Sequence, residues 1–268
     1  MNIPELSSEY DITEKQISDY QANGHIFLPG LASTQEISFY RSAILEAVKK
    51  LNTEKRKLED RDTYGKAFLQ IYNLWRQNEA LRTFVLSKRF AHVAAKLMGV
   101  EKVRLYHDQA LFKEPGGGPT PWHQDQYYWP LDTNNTITMW MPLINLDENM
   151  GIMRFASETH KLGYVTAEAI SDASEQFFAD FVKNNNYRVE GTKQANAGDA
   201  TFHSGWTLHH APGNQSGTMR EVMTIIYFAD KTKVLKPDHH NRELDHSTWL
   251  MSIPPGEYAA SELNPLID

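Results

Sequence analysis

Near residue 100 the chain changes its hydrophobic period, and that change limits the folds open to it more than any other feature. Before it, apolar residues recur at helical spacing. Thr13-Glu14-Lys15-Gln16 has the form of a capping box, with Ile17 and Tyr20 behind it and Gly24 placed to end the helix. Ser33-Thr34-Gln35-Glu36 repeats the signal ahead of Ile37, Tyr40, Ile44, Leu45 and Val48. Leu81, Phe84, Val85, Phe90, Val93 and Leu97 predict one further helix, stopped by Gly99. The charged stretch 49–62 between them reads as a solvated loop or a frayed helix end.

After residue 100 the pattern is one of short strands between Gly, Pro and Asn turns. Strands are predicted at 103–106, 109–112, 122–126, 136–144, 152–155, 187–189, 200–203, 207–210 and 220–229, interrupted by a helical insertion at 166–182. Helices followed by many short strands predict a β-sandwich or barrel covered by helices. The expected organisation is a single domain over 1–268. It has a helical part at 12–99, a β core at 101–230 and an irregular tail at 231–268.

Composition removes several function classes. There is no cysteine, so disulfides, thiolate metal ligands and cysteine nucleophiles are out. A net charge of −7 argues against a nucleic-acid partner, which needs clustered Lys and Arg. No apolar run is long enough to span a bilayer, and the acidic N-terminus lacks the apolar centre of a signal peptide. The expectation is a cytoplasmic protein, away from membranes.

His123-Gln124-Asp125 is the chemical focus. Strand side chains alternate, so His123 and Asp125 share one face while Gln124 takes the other. A histidine from a distant strand would complete two nitrogens and one oxygen around a metal, leaving the opposite positions open, as in non-haem Fe(II) oxygenases. His209 is the candidate. If 207–210 and 220–229 form a hairpin centred between Asn214 and Gln215, His209 falls opposite Arg220 and His210 faces away. An inward Arg220 needs an anionic partner, because burying its charge alone is costly. The distal carboxylate of 2-oxoglutarate suits its planar fork. The plain alternatives are an edge strand with two polar residues, and a cross-sheet salt bridge for Arg220.

Other residues are weaker candidates. His203 is the rival ligand, but six residues of strand would put it about 20 Å from His209, so it reads as structural or at the rim. His107 and Asp108 are adjacent on a strand and face opposite ways. His239, His240 and His246 read as solvated residues of the tail. Tyr127, Tyr128, Trp129 and Trp206 read as core, with one or two left to wall a substrate.

These residues, with the segments around them, resemble the phytanoyl-CoA dioxygenase family of Fe(II)/2-oxoglutarate oxygenases. The match runs through Trp122-His123-Gln124-Asp125-Gln126-Tyr127-Tyr128 and Thr138-Met139-Trp140-Met141-Pro142-Leu143. It continues through Met150-Gly151 to His160-Lys161, and from Gly198-Asp199 to Arg220. The resemblance covers roughly residues 15–230. It implies a double-stranded β-helix core (a cupin-like jelly roll) with helices outside. It also implies Fe(II) bound by His123, Asp125 and His209, with 2-oxoglutarate and O2 as co-substrates. Arg220 would hold the 2-oxoglutarate carboxylate, with Thr120, Trp140 and Lys66 as further co-substrate contacts. Two departures stand out: Ala211 replaces a small hydroxyl residue, and Ser157-Glu158 replaces a Pro-Gly pair. Halogenating relatives carry Gly or Ala where Asp125 stands, so the resemblance implies hydroxylation or another oxidation of an aliphatic C–H bond. A jelly-roll binding protein without activity and a zinc hydrolase on the same three ligands are the rival readings.

Overall fold

The computed structural model describes residues 3–166 and 168–268. Both capping boxes form. Thr13 accepts from the Gln16 amide and Gln16 closes the box onto the Thr13 N–H, opening α1 (Glu14–Asn23), which Gly24 ends at φ +81°. Strand β1 (His25–Leu28) follows. Ser33 and Glu36 repeat the arrangement at α2 (Thr34–Leu51). Glu36 does a second job, pairing with Arg89 at 2.9 Å. Arg89 in turn donates to the carbonyls of Ser8 and Leu31, so one largely buried ion pair ties the first helices to the N-terminal segment.

A short α3 (Thr63–Ala67) and β2 (Leu69–Tyr72) precede α4 (Glu79–Val85) and α5 (Lys88–Met98). The single helix expected over 81–97 is therefore two. Ser87 adopts φ −58°, ψ 123° and accepts from the Phe90 amide, restarting the helix as an N-cap. Gly99 stops α5 in the left-handed region, as its position predicts.

The β region holds β3 (Val103–Phe112), β4 (Thr120–His123), β5 (Thr136–Pro142), β6 (Leu146–Asp147) and β7 (Arg154–Ala156). The inserted helix α6 (Asp172–Asn184) starts later than the expected 166, and residue 167 of that expectation lies outside the described residues. Then come β8 (Val189–Glu190), β9 (Gln194–Ala195), β10 (Ala200–Ser204), β11 (His209–Ala211) and β12 (Val222–Ala229). The stretch 231–268 is not the irregular tail expected: it carries α7 (His240–Trp249) and β13 (Leu266–Ile267). No residue of α7 is fully buried, so the helix lacks the apolar stripe that would have revealed it. His239 is its N-cap, accepting from the Arg242 amide, and His246 bonds the Ile253 carbonyl.

The strands form two main antiparallel sheets. The larger runs β1-β10-β5-β12-β3-β13, with β2 added beside β3; the smaller runs β4-β11-β7-β8. On the outer face of the larger sheet Met139, Met141, Met223, Ile225 and Tyr227 pack with Ile44, Phe84, Phe90 and Val93 of the helices. On its inner face Thr138, Trp140, Thr224 and Ile226 join His123, His209 and Ala211 of the smaller sheet around one cavity. This is the jelly roll with flanking helices that the sequence led us to expect.

One irregularity shapes the inner face. The expected strands at 103–106 and 109–112 are a single β3 with a bulge: Ile226 pairs with His107 and Tyr227 with Leu105, leaving Tyr106 as the extra residue. The extra residue reverses the alternation. Leu105 and Ala110 therefore both join the helical core, and Tyr106 and His107 both turn toward the other side of the sheet.

Gly198 marks the tightest approach between the loop after β1 and the larger sheet. It sits at φ +91°, its carbonyl accepts from the Ala32 amide at 2.9 Å, and a Cβ there would lie 2.1 Å from the Ala32 oxygen. Gly198→Ala should destabilise the protein by about 2 kcal/mol or more, through both φ strain and the clash. Urea unfolding at constant m-value measures this, and an unchanged midpoint would mean that the turn opens freely.

Candidate metal centre and the pocket behind it

His123 is the last residue of β4, and His209, the first of β11, lies directly opposite it. Asp125 does not continue β4. Gln124 is still extended, at φ −119° and ψ 123°, and Asp125 then opens a single helical turn to Tyr127. One extended residue is enough to preserve the alternation: Gln124 turns away, donating to the carbonyls of Gly163 and Trp206. His123, Asp125 and His209 thus present three ligand atoms within 4.8 Å of one another.

The donor set fits a divalent cation. His123 Nδ1–H donates to the Pro121 carbonyl at 2.7 Å and His209 Nδ1–H to the Thr207 carbonyl at 2.9 Å. A carbonyl can only accept, so both Nε2 lone pairs face the centre, 3.4 and 3.6 Å from Asp125 Oδ1. Asp125 Oδ2 is occupied by the Thr138 hydroxyl at 2.9 Å and by His203 Nε2 at 3.1 Å. Burial alone would raise this carboxyl. The surrounding His209, His123 and His203 outweigh it and hold Asp125 well below the usual carboxylate range. Burial and the neighbouring His123 and His203 keep His209 neutral, as a ligand must be.

His203 therefore lies at the centre of the site, against the distance expected from the sequence. The chain turns back at Gly205-Trp206 rather than running on as a strand, and the His203 and His209 rings come within 4.3 Å. His203 Nε2 bonds Asp125, and the residue stands outside the group of three ligand atoms formed by His123, Asp125 and His209. Thr138, its direct partner across β10 and β5, is a functional residue that sequence reasoning missed.

The hairpin expected between 207–210 and 220–229 does not form. Strand β11 pairs with β4 and β7, and β12 pairs with β3 and β5, so the two lie in different sheets. Arg220 stands opposite Lys113. It still faces the same cavity as the triad. The residue is 2% exposed; its guanidinium donates to the Gly151 carbonyl at 2.6 Å, while its Nε is buried without a partner. The Trp140 ring lies under it, 5.7 Å from centroid to Cζ. Among the described residues no carboxylate pairs with Arg220, and burial lowers it to about 9.

The other expected contacts divide. Thr120 and Trp140 line the cavity, and Thr120 is the cross-strand partner of Ala211, so a hydroxyl stands across from the position where one is missing. Lys66 is not among the cavity residues; its backbone carbonyl accepts from the Gly118 amide instead. The buried lysine is Lys113, which donates to the Gly118 carbonyl and to Thr120 Oγ1. Lys113 keeps the inward parity of β3 beyond the bulge, so only knowledge of that bulge would have singled it out.

A comparison with known families matches residues 20–222 to the phytanoyl-CoA dioxygenase family. The chain belongs to that family. It is accordingly an oxygenase of the non-haem iron, 2-oxoglutarate-dependent class. A curated relative, a probable alpha-ketoglutarate-dependent hypophosphite dioxygenase of Stutzerimonas stutzeri, is 25% identical over 229 residues, or 80% of this chain and 78% of that one. Two solved structures share the fold of this family member. The alpha-ketoglutarate-dependent carbocyclase SnoK from nogalamycin biosynthesis matches with TM-score 0.79 and 22% identity, over 96% of this chain and 97% of its own. The epimerase SnoN, solved with Fe3+, alpha-ketoglutarate and nogalamycin RO, matches with TM-score 0.75 and 20% identity, over 95% and 98%.

Lys113 gives this oxygenase a measurable pH signature. Burial, assisted by Arg220, lowers its amine to about 6. Between about pH 6 and the ordinary lysine value of 10.5 the unfolded chain therefore holds a proton that the folded chain lacks. Stability contributed by this group rises with pH across that window, by up to about 1.4 kcal/mol per unit. Lys113→Met should flatten the slope of unfolding free energy against pH between 6.5 and 9.5 relative to wild type. Parallel slopes for the two proteins would mean that Lys113 stays charged in the fold.

Proposed function

We propose that the protein oxidises an aliphatic C–H bond of a small molecule, most simply by hydroxylation. Fe(II) is held by His123, Asp125 and His209, and the distal carboxylate of 2-oxoglutarate by Arg220. The observation that carries this reading is the unpaired guanidinium of Arg220, buried at the end of the same cavity as the triad. A buried cation without a counter-ion costs several kcal/mol, and an entering carboxylate offsets that cost while accepting two parallel hydrogen bonds. Trp140 supports the plane of the guanidinium, and Thr120 adds a hydroxyl at the same end.

When bound, iron and 2-oxoglutarate supply the oxidising chemistry, in which O2 is reduced while the keto acid loses CO2 and becomes succinate. The chain contributes placement. Thr138 and His203 occupy Asp125 Oδ2 and so leave Oδ1 for the metal. The Nδ1–H bonds of His123 and His209 to backbone carbonyls fix both rings. The carboxylate of Asp125 fills the position that a halide would need, which favours oxygen insertion over halogenation. The cavity, about 290 Å³, is at the low end for ligand sites and must also admit the co-substrate, so the substrate is small.

Residues 1–268 act as one catalytic unit in this reading, because Tyr64 and Phe68 of the helical part and Asp245 and Trp249 of α7 wall the same cavity. No helix among the described residues is long and apolar enough to cross a membrane.

Anaerobic addition of Fe(II) and then 2-oxoglutarate, followed by the visible charge-transfer band of the chelate, tests the assignment. Arg220→Met should retain metal binding and weaken 2-oxoglutarate roughly 10- to 100-fold, and His209→Ala should lose the band altogether. Arg220→Met should also melt no lower than wild type, since the unpaired charge is gone. Wild-type protein that binds metal without a band, or with an affinity indifferent to Arg220, would transfer the site to a hydrolase or a binding protein. With a substrate in hand, gain of one oxygen atom from labelled O2 separates hydroxylation from ring closure or epimerisation.

A further inference from the structure

The cavity wall contributed by α7 has no part in holding the metal or the co-substrate. Asp245 lies in that wall with Trp249 one turn beyond it. Its Oδ2 accepts from the Tyr106 hydroxyl at 2.9 Å. Among the described residues Asp245 forms no ion pair: Arg242, one turn earlier on the same helix, is taken by Asp238 at 3.1 Å. Burial pushes the Asp245 carboxyl up to about 7. The rings around it are aromatic and close-set. Trp249 stacks obliquely on Tyr72 at 4.7 Å and on His107 at 4.9 Å. His107 lines the same chamber and its buried Nδ1 has no hydrogen-bond partner. The bulge in β3 brings Tyr106 and His107 to this wall together.

We propose that this chamber receives the cationic nitrogen of the substrate, a small organic ammonium ion, with Asp245 as its counter-ion and Tyr72 and Trp249 as its aromatic walls. This deepens the oxygenase reading above and rests on it. A carboxylate desolvated among aromatic rings is costly unless a cation joins it. Aromatic faces attract a cation as well. The cavity thus carries a buried guanidinium without a counter-ion and, in another wall, a carboxyl without a cationic partner. Arg220 takes the anionic co-substrate, and Asp245 takes the cationic end of the substrate. Anchoring the nitrogen at α7 directs the aliphatic part of the molecule toward His123, Asp125 and His209, and so selects the C–H bond that is oxidised.

The experiment compares three probes of one shape: cyclohexylammonium, cyclohexanol and cyclohexanecarboxylate. Each is titrated into the full-length protein, both metal-free and loaded anaerobically with Fe(II) and 2-oxoglutarate. Binding is read by calorimetry and by fluorescence of Trp129 and Trp249, which line the cavity. The ammonium ion should bind at least about tenfold tighter than the alcohol, with the carboxylate weakest. Asp245→Asn, which can still accept from Tyr106, should bring ammonium and alcohol to equal affinity. Equal affinities in wild type, or an ammonium preference that survives Asp245→Asn, overturn the proposal. The wild-type ranking needs no variant, so poor folding of Asp245→Asn cannot hide the answer. The 2-oxoglutarate band, recorded in the same samples before each probe, reports on the oxygenase reading separately from the probe ranking.

Discussion

One carboxylate oxygen joins the two sheets where the chemistry is. Oδ2 of Asp125 accepts from Thr138 on β5 and from His203 on β10, both in the larger sheet, while its neighbour His123 ends a strand of the smaller one. The ligand-bearing turn is therefore fixed against the opposite wall of the jelly roll rather than left at the end of an edge strand. Every other property of the site follows from that placement. Oδ1 is left facing two imidazoles whose lone pairs are directed inward by bonds to backbone carbonyls, and the positions opposite them open into the cavity.

The cavity is electrostatically unfinished in a way that describes what enters it. A protein interior tolerates a polar group that is bonded and a charge that is paired. Arg220 and Asp245 satisfy neither condition fully, and they stand in walls built from different parts of the chain. The fold carries these penalties on a large apolar core. The helical layer buries a continuous apolar cluster on the outer face of the larger sheet, and Glu36 with Arg89 binds its helices together.

The errors of sequence reasoning are as informative as its successes. Alternation assigned His123 and Asp125 to one face correctly, although Asp125 lies beyond the strand, because the single extended residue Gln124 carries the pattern forward. The hairpin argument selected His209 over His210 and Arg220 as its companion for a wrong reason, since β11 and β12 belong to different sheets. Both residues face the cavity because the two sheets face each other. His203 was placed too far away because distance was measured along a strand that in fact turns back at Gly205. Asp245 read from the sequence only as one of the polar residues of the tail: no residue of α7 is fully buried, and its importance lies in what it covers.

The sequence alone determined the local structure and the chemical inventory. Capping boxes, glycine stops and the change of period are short-range effects, legible within a turn or a strand. The family resemblance carried the donor set His123, Asp125, His209 and the distal arginine. Only the tertiary structure decided which charges are left without partners. Lys113 rather than Lys66 sits behind the Arg220 end of the cavity, and His107 and Tyr106 share a wall through a bulge. Asp245 reaches that wall from the last helix. These are statements about burial and about contacts between residues more than a hundred positions apart. Burial depends on how two sheets and a covering helix close over one volume, and no local pattern records it.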